Sequence, residues 1–296
     1  MEPIKIDLEE WYATGRGGYA DSYFHKTDES LILKLNFIEF GPEKAYDEYI
    51  RSKAVHDLGI PCPEPLAFVT DGSRFGLISR RIVGKKSLTR IVSEDPSRMD
   101  EMAKHLAEMA RQLHATACNT DIFPDIAKRY RKDFDSCPYF PADVKAKLHR
   151  CLDELSPSTN CLHYDLHPGN VITADGRDYW IDLGDFGYGD PDLDFGILIV
   201  MCEWTPKKVL DDLIHLTREQ CREFTKLYGT YYYGERFNDP VLLRKLYHCA
   251  LLRYAHSLSF SNGGIAPLMS IFRKQKIRIK IIMTVLDILV KERKHN

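Results

Sequence analysis

Nowhere among the 296 residues do two cysteines stand in Cys-x-x-Cys spacing, although there are eight of them: Cys62, Cys118, Cys137, Cys151, Cys161, Cys202, Cys221 and Cys249. Scattered thiols in a chain of this length argue against a disulfide framework or a zinc centre and for a reducing, cytoplasmic setting. No stretch approaches the roughly 18 consecutive apolar residues of a membrane span. The opening "MEPIKIDLEEWYATG" has neither the basic nor the apolar region of a secretory leader. Charge is also lacking: 41 Lys and Arg against 43 Asp and Glu leave −2, so neither nucleic acid nor an anionic membrane attracts the chain as a whole. No internal repeat or low-complexity segment is visible. What is present is 44% hydrophobic residues, enough to bury a core in one large domain or two lobes.

The pattern divides the chain near residue 83. Before it, β-rich runs dominate: "GYADSYFHK", "SLILKLNF", "LAFV" and "FGLISRRIV", the last two joined across "TDGSR", whose Asp71-Gly72 is a hairpin signal. One helix interrupts them, "GPEKAYDEYIRSKAVHDLG", with Pro42 in its first turn and Gly59 at its close. From residue 95 helices take over. Asp95 is a cap with Pro96 at the first helical position, and Met99, Met102, Leu106, Met109 and Leu113 then recur at helical spacing, which reads as core packing. Strands "NVITA" and "DYWIDLG" enclose the turn "DGR", and the remainder is mainly helical. The expectation is an α+β, two-lobed architecture: residues 1–83 as a small β-rich lobe with one main helix, a hinge near 79–84, and residues 84–296 as a larger, mostly helical lobe.

Three stretches carry chemistry. In "TGRGGYADSYF", Gly15, Gly17 and Gly18 lie between two strands, where glycine lets backbone N–H groups close on phosphate oxygens; a plain tight turn is the alternative. Lys34 sits inside the apolar "LILKL" and needs either water at a sheet edge or a carboxylate partner, for which mid-helix Glu48 is better placed than Glu43. A Lys–Glu pair after a glycine-rich loop is the device that holds nucleotide phosphates. The third stretch is "HYDLHPGNVITADGRDYWIDLGDFGYGDPDLDFG". His163-x-Asp165 followed by Asn170 has the spacing of a phosphoryl-transfer loop, in which the aspartate takes a hydrogen bond from the attacking hydroxyl and the asparagine ligates Mg²⁺. Asp182, read as the last residue of the strand "YWID", is the second metal ligand. Asp185, in the look-alike triplet Asp185-Phe186-Gly187, lies in the loop beyond. Cys161, His163, Asp165 and His167 alternate in a way zinc would tolerate, but Pro168-Gly169 turns the chain at once, which favours His163 and His167 as groups that shape the loop.

Together these residues resemble the aminoglycoside phosphotransferase-like and choline-kinase-like small-molecule kinases, a branch of the protein-kinase-like fold with the pattern HGDLHPGN…IDxxxxxxGDPxxDLA. The resemblance covers roughly residues 11–200, including "EYIRSKAVHDLGIPCPEPLAF", "LISRRIVGKKSL" and "MARQLHAT". It implies Asp165 as catalytic base, Asn170 and Asp182 as Mg²⁺ ligands, Lys34 and Glu48 as the phosphate-orienting pair, and Asp190 as a brace for the catalytic loop. Backbone groups from Ser79 to Ile82, through Arg80 and Arg81, would receive adenine. Two positions depart from the pattern: Tyr164 replaces the glycine after the motif histidine, and Arg80-Arg81 stands where an acidic residue is common.

The function expected is ATP-dependent O-phosphorylation of a small-molecule hydroxyl, aminoglycoside-, amino-sugar- or choline-like, with ATP (or GTP) and Mg²⁺ and no nucleic-acid partner. The alternatives are a non-catalytic nucleotide-binding pseudokinase and an atypical protein kinase. Only Leu183 to Tyr188 separate Asp182 from "GDP", too few for a peptide-docking activation segment. Candidate carboxylates for a cationic acceptor are Asp190, Glu203, Asp211, Asp212 and Glu219. Tyr231, Tyr232 and Tyr233 offer either an aromatic wall or internal packing. The basic, amphipathic "FRKQKIRIKIIMTVLDILVKERKHN" reads as a last helix packed on the second lobe.

Overall fold

The computed structural model describes residues 2–17, 19–210 and 214–259. Gly18, Asp211, Asp212 and the basic C-terminal segment lie outside the described residues. The first part is one sheet in the order β1-β5-β6-β4-β3-β2. Its strands are β1 (Ile4–Lys5), β2 (Trp11–Arg16), β3 (Ala20–His25), β4 (Leu31–Asn36), β5 (Pro65–Thr70) and β6 (Phe75–Arg80), with α1 (Pro42–Asp57) between β4 and β5. All neighbours are antiparallel except β1 on β5.

Strand periodicity decides where Lys34 goes. Leu33 and Leu35 are fully buried on one face with Trp11 and Val69, so Lys34 lies on the other. Its cross-strand partner on β6 is Leu77, which packs with Ala45 and Tyr49 of α1. Lys34 therefore stands on a central strand, on the face that α1 covers. Gly76 makes the β4–β6 approach possible, because a Cβ there would sit 1.9 Å from the Lys34 carbonyl oxygen.

The second part contains β7 (Lys86–Ser87), α2 (Leu88–Glu94), α3 (Met99–His114), α4 (Ile126–Ser136), α5 (Ala142–Asp153), β8 (Cys161–Leu162), β9 (Val171–Ala174), β10 (Arg177–Trp180), β11 (Gly187–Tyr188), α6 (Asp192–Ile199), α7 (Lys207–Val209), α8 (Arg218–Tyr233) and α9 (Pro240–Ser259). The methionine stripe of α3 faces inward: Met99, Met102, Leu106, Met109 and Leu113 are all buried in the largest core. Asp95 caps a 3-10 turn, Pro96–Arg98, and the α-helix starts only at Met99. Gly196 lets α6 meet α9, since a Cβ on it would lie 2.5 Å from the Cys249 carbonyl carbon. The tyrosine run packs inward: Tyr231 donates to Asp100, Tyr232 contacts His114, and Tyr233 donates to Asp192. Seven cysteines, Cys202 aside, are free thiols. Among the described residues no helix is long and apolar enough to cross a membrane.

Candidate active site

The segment from His163 to Asn170 is held from below. Asp194, the third residue of α6, is 0% exposed. Its Oδ2 accepts the His163 N–H at 2.8 Å and its Oδ1 the Tyr164 N–H at 2.8 Å. His114 Nε2 lies 3.0 Å from the same Oδ2. The sequence assigned this bracing to Asp190. The structure turns Asp190 elsewhere, to the Ser156 N–H and the Lys245 ammonium, because it precedes α6 while Asp194 points from the helix's first turn into the loop. Tyr164 has φ +63, a conformation that costs a non-glycine residue roughly 1–2 kcal/mol. Its fully buried ring packs on Tyr130, and its hydroxyl meets His256 at 3.1 Å. Glycine's place is thus taken by a side chain anchored in the core.

Loop geometry then orients the reactive groups. His163 Nδ1 accepts the Asp165 N–H at 3.3 Å, so its Nε2 carries the hydrogen donated to the Ile181 carbonyl at 3.0 Å. His167 Nδ1 accepts the Gly169 N–H at 3.0 Å, and a Cβ on Gly169 would collide with that ring. Burial holds His167 below the ordinary imidazole range. Asn170 Nδ2 donates to both the Asp165 carbonyl and Asp165 Oδ2 at 2.9 Å. That fixes the amide with its oxygen turned away from Asp165.

Asp182 reaches the same place from β10. Strand pairing ends at Val171–Trp180, two residues before Asp182, not at Asp182 as the sequence suggested. The next N–H, of Ile181, donates to the Asn170 carbonyl at 3.0 Å, and the Ile181 carbonyl is taken by His163. Asp182 then adopts φ +61. Its Oδ1 accepts the Tyr19 hydroxyl at 2.7 Å and Lys34 Nζ at 3.3 Å, while Lys34 also donates to Glu48 at 2.7 Å and to Tyr19 at 2.9 Å. Burial opposes charge on Lys34, but Glu48, Asp182 and Tyr19 outweigh it and raise its pKa above the ordinary lysine range. Burial likewise opposes the Asp182 carboxylate, and Lys34 and Tyr19 reverse the balance to lower its pKa. Asp185 is exposed in the turn after Asp182. Its neighbours Phe186 and Gly187 pack on Phe123 and Ile126.

A cavity of about 320 Å³ opens over this cluster. Of the residues singled out in the sequence, Gly17, Lys34, Glu48, Asp182, Arg80, Arg81 and Ile82 line it, with Ile32, Leu77 and Ile172 adding an apolar slot. Gly15 does not; it sits beside the β2–β3 bulge. The hinge arginines are also tied to the sheet and its loops: Arg81 lies 3.6 Å above the Phe24 ring centroid and Arg80 pairs with Ser30 and Glu64. Asp165 and Asn170 do not line the cavity; Asn170 is tied to the lining residue Ile181 by its carbonyl, which accepts the Ile181 N–H at 3.0 Å, and Asp165 is tied to Asn170. Three participants escaped sequence reasoning: Tyr19, Asp194 and Arg253, whose Nη2 lies 3.9 Å from Asp165 Oδ1. Tyr19 adjoins the glycine-rich loop and Asp194 follows "GDP", so both were signalled by position; Arg253 had no signal.

Sheet, hinge, cleft and loop together define the two-lobed protein-kinase-like fold. The chain matches the model of the APH phosphotransferase enzyme family over residues 13–228, and belongs to that family. No curated protein matches it in sequence. Among solved structures it is similar to a choline/ethanolamine kinase family protein from Mesorhizobium loti, with TM-score 0.63, 15% identity, and 92% of this chain and 87% of that one covered. It is similar to a thermostable aminoglycoside phosphotransferase APH(4)-Ia mutant in ternary complex with ADP and hygromycin B (0.61, 15%, 95% and 93%). A third is amicoumacin kinase hAmiN with AMP-PNP, Ca²⁺ and Ami (0.58, 17%, 92% and 89%). At such identities the likeness is one of fold.

Proposed function

We propose that the chain is an ATP-dependent O-phosphotransferase acting on the hydroxyl of a small molecule. The observation that carries the reading is the unbroken set of contacts Glu48–Lys34–Asp182 at 2.7 and 3.3 Å, at the end of a cavity whose other end is the hinge. Residues 1–83 and 84–296 serve as two lobes with the nucleotide between them, its base against the backbone of 79–82. GTP is the alternative donor, and the setting is cytoplasmic.

Two oxygens suit a hard divalent cation such as Mg²⁺: Asn170 Oδ1 and Asp182 Oδ2, neither hydrogen-bonded among the described residues. Bound there, the ion would neutralise phosphate charge. The chain's own residues do the rest. Lys34, oriented by Glu48, holds phosphate oxygens and exchanges its contact with the Tyr19 hydroxyl for them. Asp165 orients the acceptor hydroxyl through its Oδ1. The acceptor oxygen bonds to the γ-phosphorus, the bond to the β,γ-bridging oxygen breaks, ADP departs, and the hydroxyl proton passes to Asp165 and then to water. Aminoglycosides, amino sugars and choline are the acceptors raised by the sequence resemblance.

The test is Asp165→Asn. MgATP affinity stays within about twofold in calorimetric titration, while phosphoryl transfer falls by on the order of 10²–10³. Unchanged transfer by the variant removes Asp165 from the reaction and the proposal with it.

A further inference from the structure

The two oxygens of Asp165 have different surroundings. Oδ2 is occupied by Asn170 Nδ2 at 2.9 Å, with His167 Nε2 at 3.7 Å. Oδ1 has no hydrogen bond among the described residues, and its nearest charged neighbour is Arg253 Nη2 at 3.9 Å, beyond hydrogen-bond reach. The acceptor hydroxyl must therefore approach Oδ1 beside that guanidinium.

Arg253 itself is held without being satisfied. It rises from α9 and lies over the Tyr164 ring, 4.9 Å from its centroid, with its side chain only 20% exposed. None of its five N–H groups donates a hydrogen bond within 3.5 Å to a described residue. The guanidinium is partly open to solvent, so an entering oxyanion can take up its N–H groups. From that position over the ring, its Nη2 lies 3.9 Å from Asp165 Oδ1. Arg129 stands over the same ring at 5.7 Å and pairs with Asp133 at 3.9 Å. Among the described residues, Asp190 is bound to Lys245 and Asp133 to His256, while the exposed Asp185 shares the field of Arg253 with Asp165.

We infer that the acceptor carries a carboxylate or phosphate near the hydroxyl to be phosphorylated, and that Arg253 binds this oxyanion and so selects the substrate class: hydroxy acids or phosphorylated alcohols and sugars, against amino sugars, aminoglycosides and choline. The inference rests on the phosphotransferase reading above. Bidentate arginine–oxyanion pairing would place the acceptor and orient its hydroxyl in one contact.

The experiment uses the full chain with MgATP labelled at the γ-phosphoryl and a small-molecule extract separated beforehand into anionic, neutral and cationic fractions. Label is expected in products of the anionic fraction. With the acceptor identified there, Arg253→Met should raise KM by about 10–100-fold while changing kcat far less, and Arg253→Lys should recover part of the loss. Label confined to the neutral or cationic fraction overturns the assignment and leaves the phosphotransferase reading standing. So does an Arg253→Met variant with unchanged KM and a kcat reduced alone, which would make Arg253 a positioning residue for Asp165. Transfer to no fraction, with MgATP bound, overturns the phosphotransferase reading itself.

Discussion

Replacing Asp194 with asparagine keeps the shape of the site and removes only its charge and one acceptor. Oδ1 takes one N–H, from Tyr164, and Oδ2 faces two partners, His163 N–H and His114 Nε2. The less damaging amide orientation keeps oxygen toward the pair and sets NH₂ against the Tyr164 N–H. A buried donor left unpaired costs about 1–3 kcal/mol, and two hydrogen bonds that lose charge assistance forfeit about 1 kcal/mol each, giving a total of about 3–5 kcal/mol. The loop Tyr164–Asp165 then loses one of its two anchors, and a misplacement of about 1 Å at the base is worth on the order of 10² in turnover. Urea unfolding reads the first quantity and steady-state transfer the second, with MgATP titration as the control for an intact cleft. An Asp194→Asn protein with wild-type midpoint and wild-type turnover would show that the Asp194 contacts do not position the loop.

Lys34→Met should lower turnover by about 10²–10³ and weaken MgATP binding measurably by calorimetry, since the phosphates lose the cation that Glu48 orients. Gly76→Ala forces β6 away from the Lys34 carbonyl and should cost about 1–3 kcal/mol in thermal or urea unfolding, with nucleotide affinity falling in parallel because Lys34 moves. Burial, reinforced by Arg253 and Arg129, pushes His256 down to about 2. The unfolded imidazole binds a proton below about pH 6.5 while the folded one does not, so stability falls as pH drops below 6.5, by about 1.4 kcal/mol at pH 5.5. His256→Gln should remove that increment from the difference in urea midpoints between pH 7.5 and 5.5; an identical pH slope in both proteins would place the titration elsewhere.

Local signals made much of the architecture legible. Period-two burial on β4, the glycine that closes α1 and the methionine stripe of α3 were readable because neighbours in sequence determine them. The contacts among 34, 48 and 182 and between 165 and 170 were anticipated for a different reason: the phosphoryl chemistry proposed for them restricts both residue type and spacing. What escaped depends on tertiary geometry. The strand before Asp182 ends early because the Ile181 N–H and C=O are claimed by Asn170 and His163, partners 11 and 18 residues away. "GDPDLDFG" offers three aspartates, and only the direction of the first turn of α6 decides that Asp194, not Asp190, supports the loop. Arg253 belongs to a mostly apolar helix with scattered basic residues, and nothing in its spelling announces an approach to a residue 88 positions earlier.

The supports of Asp165, Asn170 and Asp182 come from residues 114–194, with Tyr19, Lys34 and Glu48 completing the cluster; Arg253 arrives from α9, a separate element. The residues proposed to handle phosphate and the one proposed to meet the incoming alcohol consequently stand on different pieces of polypeptide. On the proposed reading, a replacement at Arg253 would change which alcohol is accepted while every contact around Asp182 stays as it is.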